Sequence, residues 1–501
     1  MEQQTGFRKE IRLLDGIMLV AGTMIGSGIF LVSADIARNV GSSGYLLLVW
    51  ALSGFLTIAA ALSYGELTSM FPKAGGQYVF LREAYNPLMG FLYGWTYFLV
   101  IQTGTIAAVG VAFAKFTGVF IPFFNPDNIV ARIPLVKVDF HHWQLHRFML
   151  PINTQQVLAI AVILLLTLIN IRGVRYGKWI QTYLSSTKIL ALFGLIVAGI
   201  FYSNREAITQ NFHDVWNASN WIPKNINGEN IWTGPFPISG WTLIVAIGSA
   251  MVGSMFAMDA WNGITFTGDE VVNPRRTIAV SMGVGVGLVS LIYLLMNIVY
   301  LINLPLRGVP GAVTRNVFER GIQFATDDRV GVAAADAMAG HHAVLVVAAL
   351  IMLSTFSCLN GLILTAPRMF YKMAEDKLFF KSMGKLNSHG VPQVATVFAS
   401  VWACLLCLSG TYGNLLDYVV FAVLLFYIFT IIGVFILRKK MPDVPRQYKS
   451  LGYPVLPVIY LLLVILICII LLIYKPDYTW PGFIIVGLGI PAYFIFKKSN
   501  A

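Results

Sequence analysis

Three stretches of an otherwise apolar chain hold residues that could do chemistry. The first is Gly22-Thr-Met-Ile25-Gly26-Ser27-Gly28-Ile29-Phe30. Glycine loses the most conformational freedom in a helix, so several together can unwind one. An unwound turn exposes N–H groups at the head of the next helical stretch, whose positive dipole end attracts a carboxylate. The plainer alternative is close packing, since Gly22 and Gly26 also make a small-xxx-small pair. The second is Asp259, in Gly253-Ser-Met-Phe256-Ala257-Met-Asp259-Ala-Trp261. A carboxylate at membrane depth costs about 2.5–3.5 kcal/mol on insertion scales and normally faces a water-filled cavity or a partner. Its alternative is a structural ion pair or a silent, protonated acid. The third is Lys188, in Ser185-Ser-Thr-Lys188. An ammonium there could occupy a cation site or carry a proton. Otherwise it snorkels to a surface about nine residues away.

These positions must be held by membrane-spanning helices. Hydrophobic residues make up 57% of the 501 and charged residues only 12%, about half the charge of an ordinary soluble domain. The charges cluster between long apolar runs, as bilayer solvation requires. Twelve spans are predicted, at 13–36, 45–70, 85–119, 155–171, 179–203, 241–268, 277–304, 341–374, 393–410, 413–437, 453–474 and 480–496. The class is an all-α integral membrane protein with twelve transmembrane helices. Spans one and six both carry mid-membrane glycines, and five spans separate them, so they start from opposite faces. That is the pattern of an inverted repeat, about 12–203 against 241–437, with its first helices interrupted at a substrate site. The core runs from residue 1 to about 400 and up to 440. Residues 441–501 hold two extra helices and a short tail.

Charge sets the orientation. The formal net charge is +12. Most of the Lys and Arg fall in the loops on the N-terminal side, among them Arg12, Arg82, Arg172, Arg275, Arg276, Arg438 and Lys497. By the positive-inside rule both termini are cytoplasmic, in a multi-pass cytoplasmic (plasma) membrane protein. The same distribution argues against nucleic acid, which would need a basic patch with aromatic partners. The opposite face carries three loops, about 120–154, 204–240 and 305–340, rich in Pro, Asn and Trp.

Several chemistries are not indicated. Cys358, Cys404, Cys407 and Cys468 lie in apolar runs and read as small packing residues rather than a redox or zinc pair. No signal-peptide cleavage site follows the first apolar run, which is expected to stay as helix one. Gly283-Val-Gly285-Val-Gly287 has no strand before it, and no P-loop occurs, so neither an enzyme nor a cofactor is expected. His141, His142 and His146 share a loop without an acidic or thiol partner set, which leaves metal binding unsupported. Glu66 near the end of span two reads as a structural ion pair. Asp269 and Glu270 beside Asn273-Pro274-Arg275-Arg276 read either as a latch with those arginines or as a solvated loop.

At this point a family resemblance is visible. Gly22-Thr-Met-Ile-Gly-Ser-Gly-Ile-Phe30 resembles the first-helix signature of the amino acid–polyamine–organocation permeases. Pro72-Lys-Ala-Gly75-Gly76-Gln-Tyr78 is similar to their loop after span two. Phe256-Ala-Met-Asp-Ala-Trp261-Asn with Glu270-Val-Val-Asn273-Pro274 is similar to their sixth helix and turn, and Asn360-Gly361 with Arg368-Met-Phe-Tyr-Lys-Met-Ala374 to their eighth. The L-type amino acid transporter branch looks nearest. The resemblance implies a LeuT-type 5+5 inverted repeat and secondary transport of amino acids by alternating access, through exchange or proton coupling. It implies that Ser27 and Gly28 N–H groups hold the substrate carboxylate. The Ile25 carbonyl and the backbone near Phe256 and Ala257 would hold the amine, with Phe256 as a gate. Lys188 would take the sodium site of related folds, near Ile25 and Ser357. Some relatives that carry cationic substrates have an acid at the Asp259 position. The loop 120–154 lacks the cysteine of eukaryotic light chains, so no disulfide-linked heavy subunit is expected. Two other classes remain, an amino-acid-sensing receptor on the same fold and a channel. The first usually adds a signalling domain, and the second needs a polar stripe along several helices.

Overall fold

The computed structural model describes residue 9 and residues 11–73, 75–139, 144–226, 229–311, 316–408 and 412–500. Its apolar part is helical throughout. Among the described residues ten helices are long and apolar enough to cross a membrane, or eleven when one bent pair is counted as a single span. That pair is α1 (Leu13–Met24) and α2 (Gly28–Val40), bent by 42°. The chain continues through α3 (Ser43–Met70), the short α4 (Gly76–Ala84), α5 (Pro87–Thr117), α6 (Thr154–Ile171) and α7 (Val174–Phe201). Then come α8 (Gly240–Ala257), α9 (Pro274–Asn303), α10 (Val330–Glu375), α11 (Gln393–Cys407), α12 (Tyr412–Lys440), α13 (Val455–Tyr474) and α14 (Pro476–Asn500).

Helix ends follow local chemistry. Ser42 caps α3 by accepting from Tyr45 N, and Gly41 ends α2 in the left-handed region at φ 53°. Asn86 followed by Pro87 starts α5, and Asn153 forms a capping box with Gln156 at the head of α6. These side chains satisfy amides that the first helical turn leaves unpaired. Two boundaries differ from expectation. α10 begins eleven residues before 341, because the helix runs through a kink at Ala339 and Gly340, both with non-helical backbone angles. α11 has 15 residues. At about 1.5 Å per residue it rises roughly 22 Å, short of a hydrocarbon core of about 30 Å.

The all-helical expectation also missed two antiparallel hairpins. One pairs β1 (Ile129–Asp139) with β2 (Gln144–Asn153), the other β3 (Ser219–Ile226) with β4 (Glu229–Pro237). Their strands carry Pro134, Pro151, Pro223 and Pro235, which argue against a central strand. A two-stranded ribbon has only edges, so it tolerates them. His141 and His142 lie outside the described residues, and His146 falls in β2.

Candidate functional site

α1 stops at Met24 and the chain resumes as α2 at Gly28, with Ile25 extended at ψ 90°. A helix end leaves its last carbonyls without partners, and burial makes that costly. Here other helices supply the donors. Lys188 Nζ from α7 donates to Gly22 O and, at 2.8 Å, to Ile25 O. Cys358 Sγ from α10 lies 3.0 Å from Thr23 O, and Tyr293 Oη from α9 donates to Met24 O at 2.9 Å. Ser354 Oγ, also from α10, donates to Ile25 O at 3.1 Å. Four consecutive carbonyls are thus capped from three helices. Lys188 is buried with its ammonium on backbone oxygen, so it does not snorkel.

On the far side of the break no acceptor among the described residues takes the Gly26 or Gly28 amide, and both residues are buried. Gly28 lies against the end of α8. A Cβ there would come within 2.5 Å of Ala257 Cβ, so only glycine allows the two broken helices to touch.

The second break follows. α8 ends at Ala257, and the chain turns through Met258, Asp259 and Ala260 into a 3-10 stretch, Trp261–Glu270. Ala260 holds φ +70°, a left-handed conformation that costs a non-glycine residue roughly 1–2 kcal/mol. Its carbonyl accepts from Thr23 Oγ1 at 3.3 Å, which ties the two breaks together. Asp259 Oδ1 accepts from Tyr427 Oη of α12 at 2.6 Å.

Asp259 and Tyr427 separate two narrow cavities. One is lined by Gln77, Tyr93, Tyr97, Gln102, Asn262 and Thr365, the other by Thr57, Met255, Met258, Val420, Leu424 and Tyr460. Tyr97 and Ile101, which line the first, belong to a π-helical turn at Tyr97–Ile101 inside α5. Such bulges re-aim side chains and recur at functional sites.

The structure brings Ile25, Ser27, Gly28, Phe256 and Ala257 to the junction of α1, α2 and α8, with Lys188 behind Ile25. Ile25, Ser27 and Gly28 line neither cavity around Asp259. Ser357 is buried, and its hydroxyl has no hydrogen-bond partner among the described residues. Ser354, one turn earlier, makes the contact with Ile25. Sequence reasoning missed Ser354, Cys358, Tyr293 and Tyr427, whose only signal is a polar atom inside an apolar run.

Ion pairs lie towards both ends of the helices. At the end where Ile11 lies, Ile11 bridges to Glu270 and Val272 through backbone bonds of 3.0 and 2.9 Å. Glu270 pairs with Arg368 at 2.8 Å, both side chains buried. Its partner is therefore on α10, rather than among the nearby Arg275 and Arg276. Glu66 is a buried ion-pair centre, taking Arg438 at 2.7 Å, Arg446 at 3.2 Å and the Ser450 amide at 2.8 Å. At the hairpin end Arg38 donates to Asp328 at 2.6 Å and to Gln323 O at 2.7 Å, and lies over the Trp232 ring. Burial alone would raise the Asp328 carboxyl, but Arg38 and Lys115 outweigh it and hold it below the usual carboxylate range.

Known proteins match the chain over nearly its whole length. The profile of the amino acid permease family matches residues 11–493. The b(0,+)-type amino acid transporter 1 of Mus musculus is 26% identical over 98% of this chain and 88% of its own length. The serine/threonine exchanger of Bacillus subtilis (strain 168) is 27% identical over 100% of this chain and 99% of its own. The human cystine/glutamate transporter is 26% identical over 99% and 86%.

Proposed function

The chain belongs to the amino acid permease family, and from that premise we propose that it is a sodium-independent amino acid transporter, an exchanger or a proton-coupled symporter. It works by alternating access on a LeuT-type inverted repeat of twelve spans. Spans one to ten form the core up to about residue 440, and two extra helices follow. Both termini are cytoplasmic, and no disulfide-linked heavy subunit is required. The substrate carboxylate docks on the Ser27 and Gly28 amides, and its amine on the Ile25 carbonyl, in place of the Ser354 hydroxyl, and on the backbone at Phe256 and Ala257. Phe256 is the gate. Asp259 selects for positive charge in the substrate side chain.

One observation carries the sodium independence: the Lys188 ammonium donates to Gly22 O and Ile25 O at the break. A cation is already fixed where backbone carbonyls would otherwise coordinate a metal ion. Similarity to a serine/threonine exchanger over the whole chain favours exchange. The test is flux in proteoliposomes. Uptake should be unchanged when choline replaces sodium, and counterflow against the twenty amino acids should identify the substrates. A strict sodium requirement would overturn the Lys188 assignment, and absence of any flux would favour a receptor.

A further inference from the structure

One helix reaches both sides of the break between α1 and α2. α9 carries Tyr293, Asn297 and Tyr300, which at i, i+4 and i+7 share one face. All three are fully enclosed. Tyr293 Oη donates to Met24 O, the last residue of α1, at 2.9 Å. Tyr300 Oη donates to Ile29 O, in α2, at 3.3 Å. Asn297 Nδ2 is committed to the Tyr293 carbonyl of its own helix at 2.8 Å. That leaves its Oδ1 to accept from Ser33 Oγ of α2 at 2.7 Å.

We infer that α9 is a splint that sets the angle between the two half-helices, with Tyr293 and Tyr300 as positioning residues for the substrate site. The packing gives each half a different bed. α1 lies directly on α9, where a Cβ on Gly285 would come within 2.9 Å of Val20, and Ser281 Oγ reaches Leu13 O at 3.4 Å. α2 lies on α8, with Gly253 against Val32 and Gly28 against Ala257. The hydroxyls and the asparagine amide of α9 therefore bridge two separately seated pieces. Met24 adjoins Ile25, so a Met24 carbonyl without its donor turns in search of one. The Ile25 carbonyl and the Gly26 and Gly28 amides move with it. A hydroxyl that merely satisfied a buried carbonyl would not fix the angle between the halves.

The effect on substrate rests on the reading that the substrate binds at this break, so the test separates the two. Spin labels on Leu14→Cys in α1 and Asn39→Cys in α2, with Cys404→Ala to remove the half-buried native thiol, report the angle without any substrate. The parent should give one narrow distance. Tyr293→Phe and Tyr300→Phe should each broaden or shift it, with Tyr293→Phe the larger. In uptake assays Tyr293→Phe should raise KM about tenfold, the cost of one uncapped buried carbonyl. Its expression should stay near that of the parent, because phenylalanine keeps the edge contact with Trp50, and its thermal midpoint should fall only by the cost of one unpaired carbonyl. An unchanged distance in both variants overturns the splint. A broadened distance with KM unchanged upholds it and counts against the substrate site instead. Should Tyr293→Phe fail to fold, Tyr300→Phe, which removes a longer bond, carries the same measurement.

Discussion

The two helix breaks solve the same problem by opposite means. Between α1 and α2 the backbone carries the polar groups. Its carbonyls are capped by Lys188, Cys358, Tyr293 and Ser354, and its Gly26 and Gly28 amides meet no acceptor among the described residues. After α8 a side chain is the working surface. Asp259 meets Tyr427 and fronts two cavities, while the backbone beyond it tightens into a 3-10 stretch and bends at a strained Ala260. Backbone groups are shared by every amino acid substrate, so the first break suits recognition of the common part. A lone carboxylate discriminates by charge, so the second suits selection among side chains.

The largest expected effect tests the first break. Lys188→Ala removes the donor to the buried Gly22 carbonyl, worth about 1–3 kcal/mol when left unpaired, and leaves Ile25 O with Ser354 Oγ alone. Transport should be lost entirely, and thermal stability should fall. Flux that persists in Lys188→Ala at normal affinity would mean that the capped carbonyls are not part of the site.

Gly28→Val comes next. The added atoms would strike Ala257, and such overpacking costs about 1–3 kcal/mol and occasionally more. Substrate binding should weaken about a hundredfold at near-normal expression. Because the clash is with Ala257, Gly28→Ala combined with Ala257→Gly should recover much of the activity that Gly28→Ala loses. If the double variant stays inactive, the glycine serves ligand access rather than helix contact.

At the second break the effect should be selective. Coulomb attraction across about 4 Å at an effective dielectric near 20 is worth roughly 4 kcal/mol before desolvation, and desolvation removes much of it. Asp259→Asn should therefore weaken arginine or lysine about tenfold relative to leucine. Competition against a labelled neutral substrate measures the ratio. An equal loss for all substrates would show that Asp259 only braces the turn through Tyr427.

What the sequence disclosed follows from how local each signal is. Apolar length located most of the spans within a few residues, because lipid forces every backbone group to pair within its own helix, but it missed the early start of α10 and the shortness of α11. The breaks were visible because glycine at 26 and 28 and an acid at 259 conflict with the surrounding run. Gly285, by contrast, sits in a glycine triplet read only as not being a nucleotide loop, and it proves to be a seat for Val20. Donors such as Tyr293 and Cys358 left no trace, since a tyrosine or cysteine in an apolar run is unremarkable until its acceptor arrives from another helix. Glu270 illustrates the same limit. Its neighbours in sequence are Arg275 and Arg276, but the partner is Arg368, 98 positions away.

The anchors of the two breaks differ as the breaks do, and this gives the smallest expected effect. The 3-10 stretch is tied at its far end by Glu270 and Arg368, both buried. α2 is tied at its far end by Arg38 to Asp328, whose side chain is 42% exposed. Arg38 is buried but Asp328 faces solvent in part, so the pair is partly screened and contributes about 1 kcal/mol. Asp328 sits below the ordinary carboxylate range, so it binds fewer protons folded than unfolded. The stability it adds is therefore present above its unfolded pKa of about 4 and fades as pH falls through its lower folded value. Asp328→Asn should lower the thermal midpoint slightly at pH 7, with the difference from the parent shrinking toward pH 3 and in high salt. The corresponding Glu270→Gln should cost more and respond less to salt, because water does not reach that pair. Equal salt sensitivity in the two variants would remove the distinction between an exposed anchor at the hairpin end and a buried one at the other.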